Sequence, residues 1–256
     1  MFIRIEDVTK TYSTRNGPIR ALNAVDLDID ENEFVSIVGP SGCGKSTLMM
    51  MLSGLVPHST GAIRIGDKAV SGPYTDVGIV FQQDTLLEWR TILRNVLIQA
   101  EMRKLDMAKY TARARHLLEL VGLKDFENMY PHELSGGMRQ RASICRALLH
   151  SPPLLLMDEP FGALDALTRD QLNIDLMRFW RESPTTVLFI THSVSEAVFL
   201  SDRVVIMSAR PGRIEEVVDI DLPRPRKLAI RETPQFLDYS RRISRVFEST
   251  GILREE

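Results

Sequence analysis

The chain has 256 residues, of which 44% are hydrophobic and 26% are charged, and its formal net charge is -2. These values are typical of an α/β protein with a sizeable core, and nothing in the overall charge points to nucleic acid. Two cysteines are too few for a disulfide framework, and the longest apolar runs are strand-sized, far short of a membrane span. The charged start of the chain lacks the apolar stretch of a signal peptide, so we expect a cytoplasmic protein.

The first 30 residues alternate between apolar and polar side chains, which predicts half-exposed antiparallel strands joined by a turn-rich connection at 13–18. Tyr12 lies just before this connection. It is either an ordinary aromatic residue at a strand end or a ring that stacks on adenine.

Residues 39–47 fit the phosphate-binding pattern G-x-x-x-x-G-K-[ST], between a predicted strand at 33–38 and a predicted helix at 48–55. Glycines let the backbone approach an anion closely, and the amides of the loop and helix N-terminus then face phosphate oxygens. We expect Lys45 to contact the β- and γ-phosphates, Ser46 to bind Mg²⁺ and Thr47 to add a phosphate contact. The predicted nucleotide loop comprises Gly39, Pro40, Ser41, Gly42, Cys43, Gly44, Lys45, Ser46 and Thr47.

Cys43 occupies an electropositive position at a helix N-terminus, where the pKa of a thiol is lowered. On this interpretation ATP protects the protein from thiol reagents. The alternative is that Cys43 is a small residue that only fills space, and the sequence does not separate the two.

Further strands are predicted at 62–65 and 77–81, and the second ends in Gln82, Gln83 and Asp84. Polar side chains directly after a buried strand occupy the position where α/β folds place functional residues. From about residue 86 to 150 the pattern becomes helical, with predicted helices at 95–104 and 107–121. This stretch predicts a helical lobe inserted into the sheet domain.

The predicted lobe ends in the sequence LSGGMRQR at 134–141, where Ser135 can cap a helix that runs to about residue 150. The adjacent Gly136 and Gly137 leave bare amides at a positive helix end, which suits phosphate. A plain capping motif explains the same residues. A second anion-binding helix end in one chain favours the functional interpretation.

Two adjacent acids, Asp158 and Glu159, follow the apolar strand at 154–157. Ionised groups at the end of a buried strand are costly without a cation, so we expect Asp158 to orient Mg²⁺ and Glu159 to polarise an attacking water. His192 follows another core strand, at 185–190, from which it can reach a γ-phosphate or the water. The alternative is a structural role, which is the more common one for a lone histidine.

Two edge strands are predicted at 204–207 and 213–220, followed by an extended linker at 223–227 and a helix at 236–249. The basic tail is either a solvated surface helix or a contact for a membrane or partner.

Taken in order, these motifs resemble the ATP-binding subunit of an ABC transporter over nearly the whole chain. Residues 39–47 match the Walker A motif of this family, Gln82 its Q-loop glutamine, and 134–140 its signature sequence. Residues 157–160 match Walker B with the catalytic glutamate, 163–165 the D-loop, and His192 the switch histidine. Tyr12 lies where the family places its adenine-stacking aromatic residue.

The resemblance implies an α/β fold with a P-loop NTPase (RecA-like) core, an antiparallel β subdomain and an inserted α-helical subdomain. It places the ABC ATPase domain at 1–221, with the helical subdomain at about 86–152, and a short linker and helix at 222–256. ATP and Mg²⁺ are the implied cofactors, with Ser46, Gln82 and Asp158 around the metal. The implied catalytic residues are Glu159, His192, Gln82 and Lys45.

The resemblance also implies a head-to-tail homodimer with two Mg-ATP, in which Ser135, Gly136 and Gly137 of one chain face the Walker A loop of the other. The implied partners are transmembrane permease subunits and, indirectly, a periplasmic or extracellular solute-binding protein, with no nucleic acid. The lobe around 82–94 is expected to receive a permease helix at the cytoplasmic face of the inner membrane.

Residues 86–91 and 158–169 are most similar to the nitrate, sulfonate and taurine group of bacterial importers, although Glu88 stands where that group commonly has proline. The sequence leaves the solute open among nitrate, a sulfonate, taurine and a heterocyclic precursor. A different class also remains, the soluble ABC ATPases that act on nucleic acid or ribosomes. Those relatives generally carry a coiled-coil insertion or two cassettes, and this sequence has neither.

Overall fold

The computed structural model describes residues 1–252, so the last four residues of the predicted segment 222–256 lie outside the described residues. The chain divides into two compact units. The first comprises Met1–Thr75 and the described part of Thr186–Glu256, and the second comprises Asp76–Thr185.

The first unit begins with an antiparallel sheet whose strand order is β2-β1-β4-β5. These strands are β1 (Ile3–Thr14), β2 (Gly17–Ile29), β4 (Thr60–Ile65) and β5 (Lys68–Ala69). Between β2 and β4 lie β3 (Phe34–Val38) and helix α1 (Lys45–Leu52). Every residue of β3 is buried, as its apolar sequence predicts. The turn between β1 and β2 is shorter than expected, so Tyr12 lies within a paired strand, opposite Ile19.

The second unit begins with β6 (Val77–Val80), which pairs in parallel with β7 (Leu154–Asp158). Between them lie the helices α2 (Ile92–Val96), α3 (Ile98–Met102), α4 (Met107–Leu120) and α5 (Gly136–Leu148). After β7 comes α6 (Ala166–Glu182), whose N-cap is Asp165. The single helix predicted at 95–104 is wrong in its bounds, because two short helices meet at Leu97.

The first unit resumes with β8 (Thr186–Ile190), α7 (Val194–Leu200), β9 (Arg203–Met207), β10 (Ile214–Asp219) and α8 (Pro234–Ser249). Strand β3 pairs in parallel with both β8 and β9, and β10 pairs with β9 in the antiparallel sense. The prediction that 204–207 forms an edge strand is therefore wrong. Val204, Val205, Ile206 and Met207 are fully buried, because β9 has neighbours on both sides.

The segment before α8 is anchored by a buried arginine. Arg226 is 6% exposed, and its Nη1 donates to the carbonyl oxygens of Val198, Phe199 and Ser201 at the C-terminal end of α7. A cation there satisfies carbonyls that the helix itself leaves unpaired. Among residues 1–252, no helix is long and apolar enough to cross a membrane.

Candidate functional site

The loop between β3 and α1 encloses the ammonium group of Lys45. Lys45 Nζ donates to the carbonyl oxygens of Gly39 at 2.8 Å and Pro40 at 3.0 Å, and the side chain is only 5% exposed. Gly44, at the N-cap of α1, has φ 103°, a conformation that favours glycine. The first amides of a helix have no partner within it, so the start of α1 offers hydrogen-bond donors and a positive dipole end to an anion.

A turn between β9 and β10 supports this loop from the side. Arg210 Nε donates to the carbonyl oxygen of Gly42 at 3.1 Å. Gly212 exchanges backbone hydrogen bonds with β2, donating to Ala21 O and accepting from Asn23 N, each at 2.9 Å. The sequence identified 210–212 only as a turn. The motif itself carries no signal for these contacts, because the paired residues lie about 170 to 190 positions apart in the sequence.

The remaining loop side chains of the predicted phosphate and metal site lie at the start of α1. Ser46 is exposed at the start of α1, and Thr47 is half-buried. Tyr12 Oη donates to Thr47 Oγ1 at 3.4 Å, which brings the aromatic ring beside the start of α1. Lys10 Nζ lies 4.8 Å from the centroid of that ring. The structure therefore brings Tyr12 and the loop together, with an aromatic surface available for stacking.

The expectation of a low pKa for Cys43 is wrong. Its side chain is 1% exposed, and burial raises the pKa of the thiol, while the nearby Lys45 only partly opposes the rise. Burial disfavours the thiolate more than the loop charge favours it. Cys43 therefore acts as a small space-filling residue.

His192 follows β8 at the same edge of the sheet where the nucleotide loop follows β3. The backbone N–H of Thr191 donates to Ile37 O at 3.2 Å, so the parallel strands β3 and β8 end side by side. The Thr191 hydroxyl donates to the buried Glu196 at 2.6 Å and accepts from the N–H of Ser193 at 3.0 Å. These bonds fix both neighbours of His192, whose own side chain is exposed.

In the second unit, the predicted polar residues also lie together at the carboxyl ends of parallel strands. Val80 of β6 is opposite Met157 of β7. Gln82 is exposed two residues after β6, and Asp158 is the last residue of β7. Glu159 has φ 43°, a left-handed conformation that is uncommon and costly for this residue type and that is often retained where a functional site needs it.

The predicted cap of α5 is confirmed. Ser135 Oγ accepts a hydrogen bond from the N–H of Met138 at 3.4 Å, and both Ser135 and Gly136 are exposed. Gly137 is buried against α6, where an added Cβ would lie 2.6 Å from Thr168 Cγ2. The close contact with Thr168 leaves little room for a side chain at 137, while Ser135 and Gly136 remain exposed at the start of α5, a helix end that suits an anion.

The predicted metal ligands have the chemistry that Mg²⁺ prefers. Ser46 in the first unit, and Gln82 and Asp158 in the second, offer hydroxyl, amide and carboxylate oxygens. Within residues 1–252, no group of three or more His, Cys, Asp or Glu side chains could hold a metal ion. Mg²⁺ usually keeps several waters and is bound by one or two protein oxygens together with phosphate oxygens.

Comparison with known proteins gives concordant results. A family model described as "ABC transporter" matches residues 22–162. An uncharacterized ABC transporter ATP-binding protein of Methanocaldococcus jannaschii is 45% identical over 96% of this chain and 91% of its own length. The taurine import ATP-binding protein TauB of Rhizobium johnstonii is 42% identical over 98% of both chains. The aliphatic sulfonates import ATP-binding protein SsuB of Bacillus cereus is 38% identical over 99% of both chains.

A solved structure is also similar to this chain. It is a dimeric, post-hydrolysis state of the ATP-binding cassette MJ0796 bound to ADP and Pi, with a TM-score of 0.76 and 32% identity. The match covers 86% of this chain and all of the cassette. The chain therefore belongs to the ABC transporter family. It is an ATP-hydrolysing subunit of that family, and the predicted ABC ATPase fold is confirmed.

Proposed function

We propose that this chain powers the import of a small sulfonate-type anion, working as a homodimer with separate permease subunits at the cytoplasmic face of the membrane. Two relatives that match nearly the whole chain are named for taurine and aliphatic sulfonate import, which supports this solute class. A solute-binding protein outside the membrane delivers the anion to the permease.

In this proposal ATP lies on the loop, with Lys45 and the α1 amides on its phosphates and Tyr12 against its adenine. Ser46, Gln82 and Asp158 hold Mg²⁺, which, when bound, draws negative charge from the phosphate oxygens. Glu159 orients the attacking water in line with the γ-phosphate. His192 keeps that geometry.

The observation that supports the dimer is the presence of two helix N-termini suited to binding phosphate in one chain. One is the start of α1, with Lys45 in its loop, and the other is the start of α5, with Ser135, Gly136 and Gly137. In a head-to-tail dimer each ATP lies between α1 of one chain and α5 of the partner. The dimeric form of the related cassette supports this arrangement.

Mixed dimers test this arrangement. One chain carries Lys45→Ala and the other Ser135→Arg, with different affinity tags so that only mixed dimers are purified. A head-to-tail dimer then has one site with both defects and one intact site, so ATP hydrolysis recovers to about half the unaltered rate at most. Dimers of either single variant are the controls and remain inactive. If the mixed dimer is as inactive as both controls, each site is built within one chain and the proposal is wrong.

Uptake by cells tests the solute class. Deletion of this chain in its own organism is expected to abolish uptake of radiolabelled taurine or an alkanesulfonate, and the intact gene restores it while a Lys45→Ala copy does not. Loss of nitrate uptake with normal sulfonate uptake would contradict the proposed solute.

A further inference from the structure

Three side chains of α5 converge on the segment Phe81–Thr85, which connects β6 to the helices of the second unit. Arg139 Nε donates to Asp84 Oδ2 at 2.8 Å, and Gln140 Nε2 donates to Phe81 O at 3.2 Å. About two turns further along, Arg146 donates to Asp84 O at 2.9 Å and to Thr85 O at 2.7 Å. The helix therefore holds both sides of Gln82.

Arg139 also reaches the signature end of the helix. Its Nη1 donates to the carbonyl oxygen of Leu134 at 2.7 Å, directly before the cap Ser135. One guanidinium thus joins the residue that precedes the anion-suited helix end to a carboxylate two residues after Gln82. The side chains of Arg139 and Asp84 are 32% and 24% exposed, so solvent screens this ion pair only partly.

The backbone of the held segment is conformationally unusual. Thr85 has φ 48°, which is a genuine outlier for a β-branched residue. The Thr85 hydroxyl accepts from Arg146 Nη2 at 2.8 Å, in addition to the bond to its carbonyl oxygen. A strained conformation persists only where its surroundings determine it, and here α5 supplies those contacts.

We infer that the Arg139–Asp84 pair is a positioning device that makes Gln82 and the Ser135 helix end move as one body, and so couples the two ATP sites of the dimer. This inference rests on the proposed function. In a head-to-tail dimer Gln82 faces the ATP of its own chain, whereas Ser135 faces the ATP of the partner. A rigid connection between them transmits the state of one site to the other.

Steady-state ATP hydrolysis by the purified full-length protein tests the coupling. The unaltered dimer is expected to hydrolyse ATP with a Hill coefficient above about 1.5, close to its limit of two sites. Asp84→Asn and Arg139→Gln each lower the coefficient to about 1 and reduce kcat several-fold, while the Kd for ATP stays within about twofold. The double variant behaves like either single variant, because both remove one interaction. Asp84→Glu, which keeps the carboxylate, restores cooperativity.

The matched control is Arg115→Gln. Arg115 makes an ion pair of similar length with Glu127, at 2.9 Å, in the same unit but away from Phe81–Thr85. This variant keeps the full Hill coefficient, and thermal unfolding of every variant identifies any general loss of stability. Cooperative hydrolysis that survives both Asp84→Asn and Arg139→Gln would overturn the inference alone. Absence of hydrolysis by the unaltered protein would overturn the proposed function and the inference with it.

Discussion

A Cβ atom added to Gly212 would lie 1.9 Å from the carbonyl oxygen of Cys43. Gly212 is in the turn between β9 and β10, and Cys43 is in the nucleotide loop, so two distant parts of the first unit meet with no room for a side chain. The shape of the loop therefore depends on a glycine outside its own motif.

We predict that Gly212→Ala destabilises the protein and weakens ATP binding. An added methyl group that overlaps backbone atoms costs about 1–3 kcal/mol, and the nucleotide loop must move to remove the overlap. Chemical denaturation and ATP titration measure the two effects. Gly72→Ala is the control, since an added Cβ there meets no atom within 4 Å. Equal behaviour of the two variants would show that the contact does not constrain the loop.

The buried thiol of Cys43 is predicted to resist modification. Because burial raises its pKa, little thiolate is present at neutral pH, and we expect labelling by a thiol reagent at least about tenfold slower than for free cysteine. The Cys145→Ser variant isolates this thiol for the measurement. Rapid labelling that ATP prevents would support an activated thiol instead.

The stability of the folded protein is predicted to fall at acid pH because of the protonation of His150. Burial lowers the pKa of His150 to about 4, from an ordinary value of 6.5, and the charge of Arg103 acts in the same direction. Neither ring nitrogen has a hydrogen-bond partner among the described residues. The unfolded chain therefore takes up the proton first, so stability is fully present above pH 6.5 and is lost as the pH falls towards 4.

The His150→Leu variant isolates this effect. We expect the unfolding free energy of the unaltered protein, relative to that of the variant, to fall by about 3 kcal/mol between pH 7 and pH 4. Urea denaturation across this range measures it. A difference that does not change with pH would assign the acid sensitivity to other groups.

Glu159→Gln is predicted to lower ATP turnover by at least about 100-fold while ATP still binds, because the amide cannot polarise the water as the carboxylate does. An ATP-dependent dimer should then accumulate, measurable by light scattering after gel filtration. Glu182→Gln, which alters an acid at the C-terminal end of α6, is the control and keeps normal turnover. Unchanged turnover of Glu159→Gln would remove Glu159 from its assigned role.

The sequence predicts the parts of this molecule that depend on local order. The phosphate loop, the cap Ser135 and the acids after β7 follow from short-range patterns, because each combines a strand or helix boundary with the residue types that its chemistry needs. Apolar periodicity likewise locates most strands to within one or two residues.

Features that depend on tertiary packing could not be predicted from the sequence. Val204–Met207 resembles an edge strand until its two neighbours are known, and the pKa of Cys43 depends on burial that its motif does not encode. The Arg139–Asp84 pair joins two segments that are far apart in sequence, and no pattern in either predicts the other.

The most direct test of the central claim is affinity purification of this chain from membranes of its own organism, with mass spectrometry of the proteins retained. We predict that a permease with several membrane spans is recovered together with this chain. The permease is expected to stay bound when the complex is washed with high salt. Recovery of only soluble nucleic-acid-binding or ribosomal proteins would contradict the transport function while leaving the ATPase assignment intact.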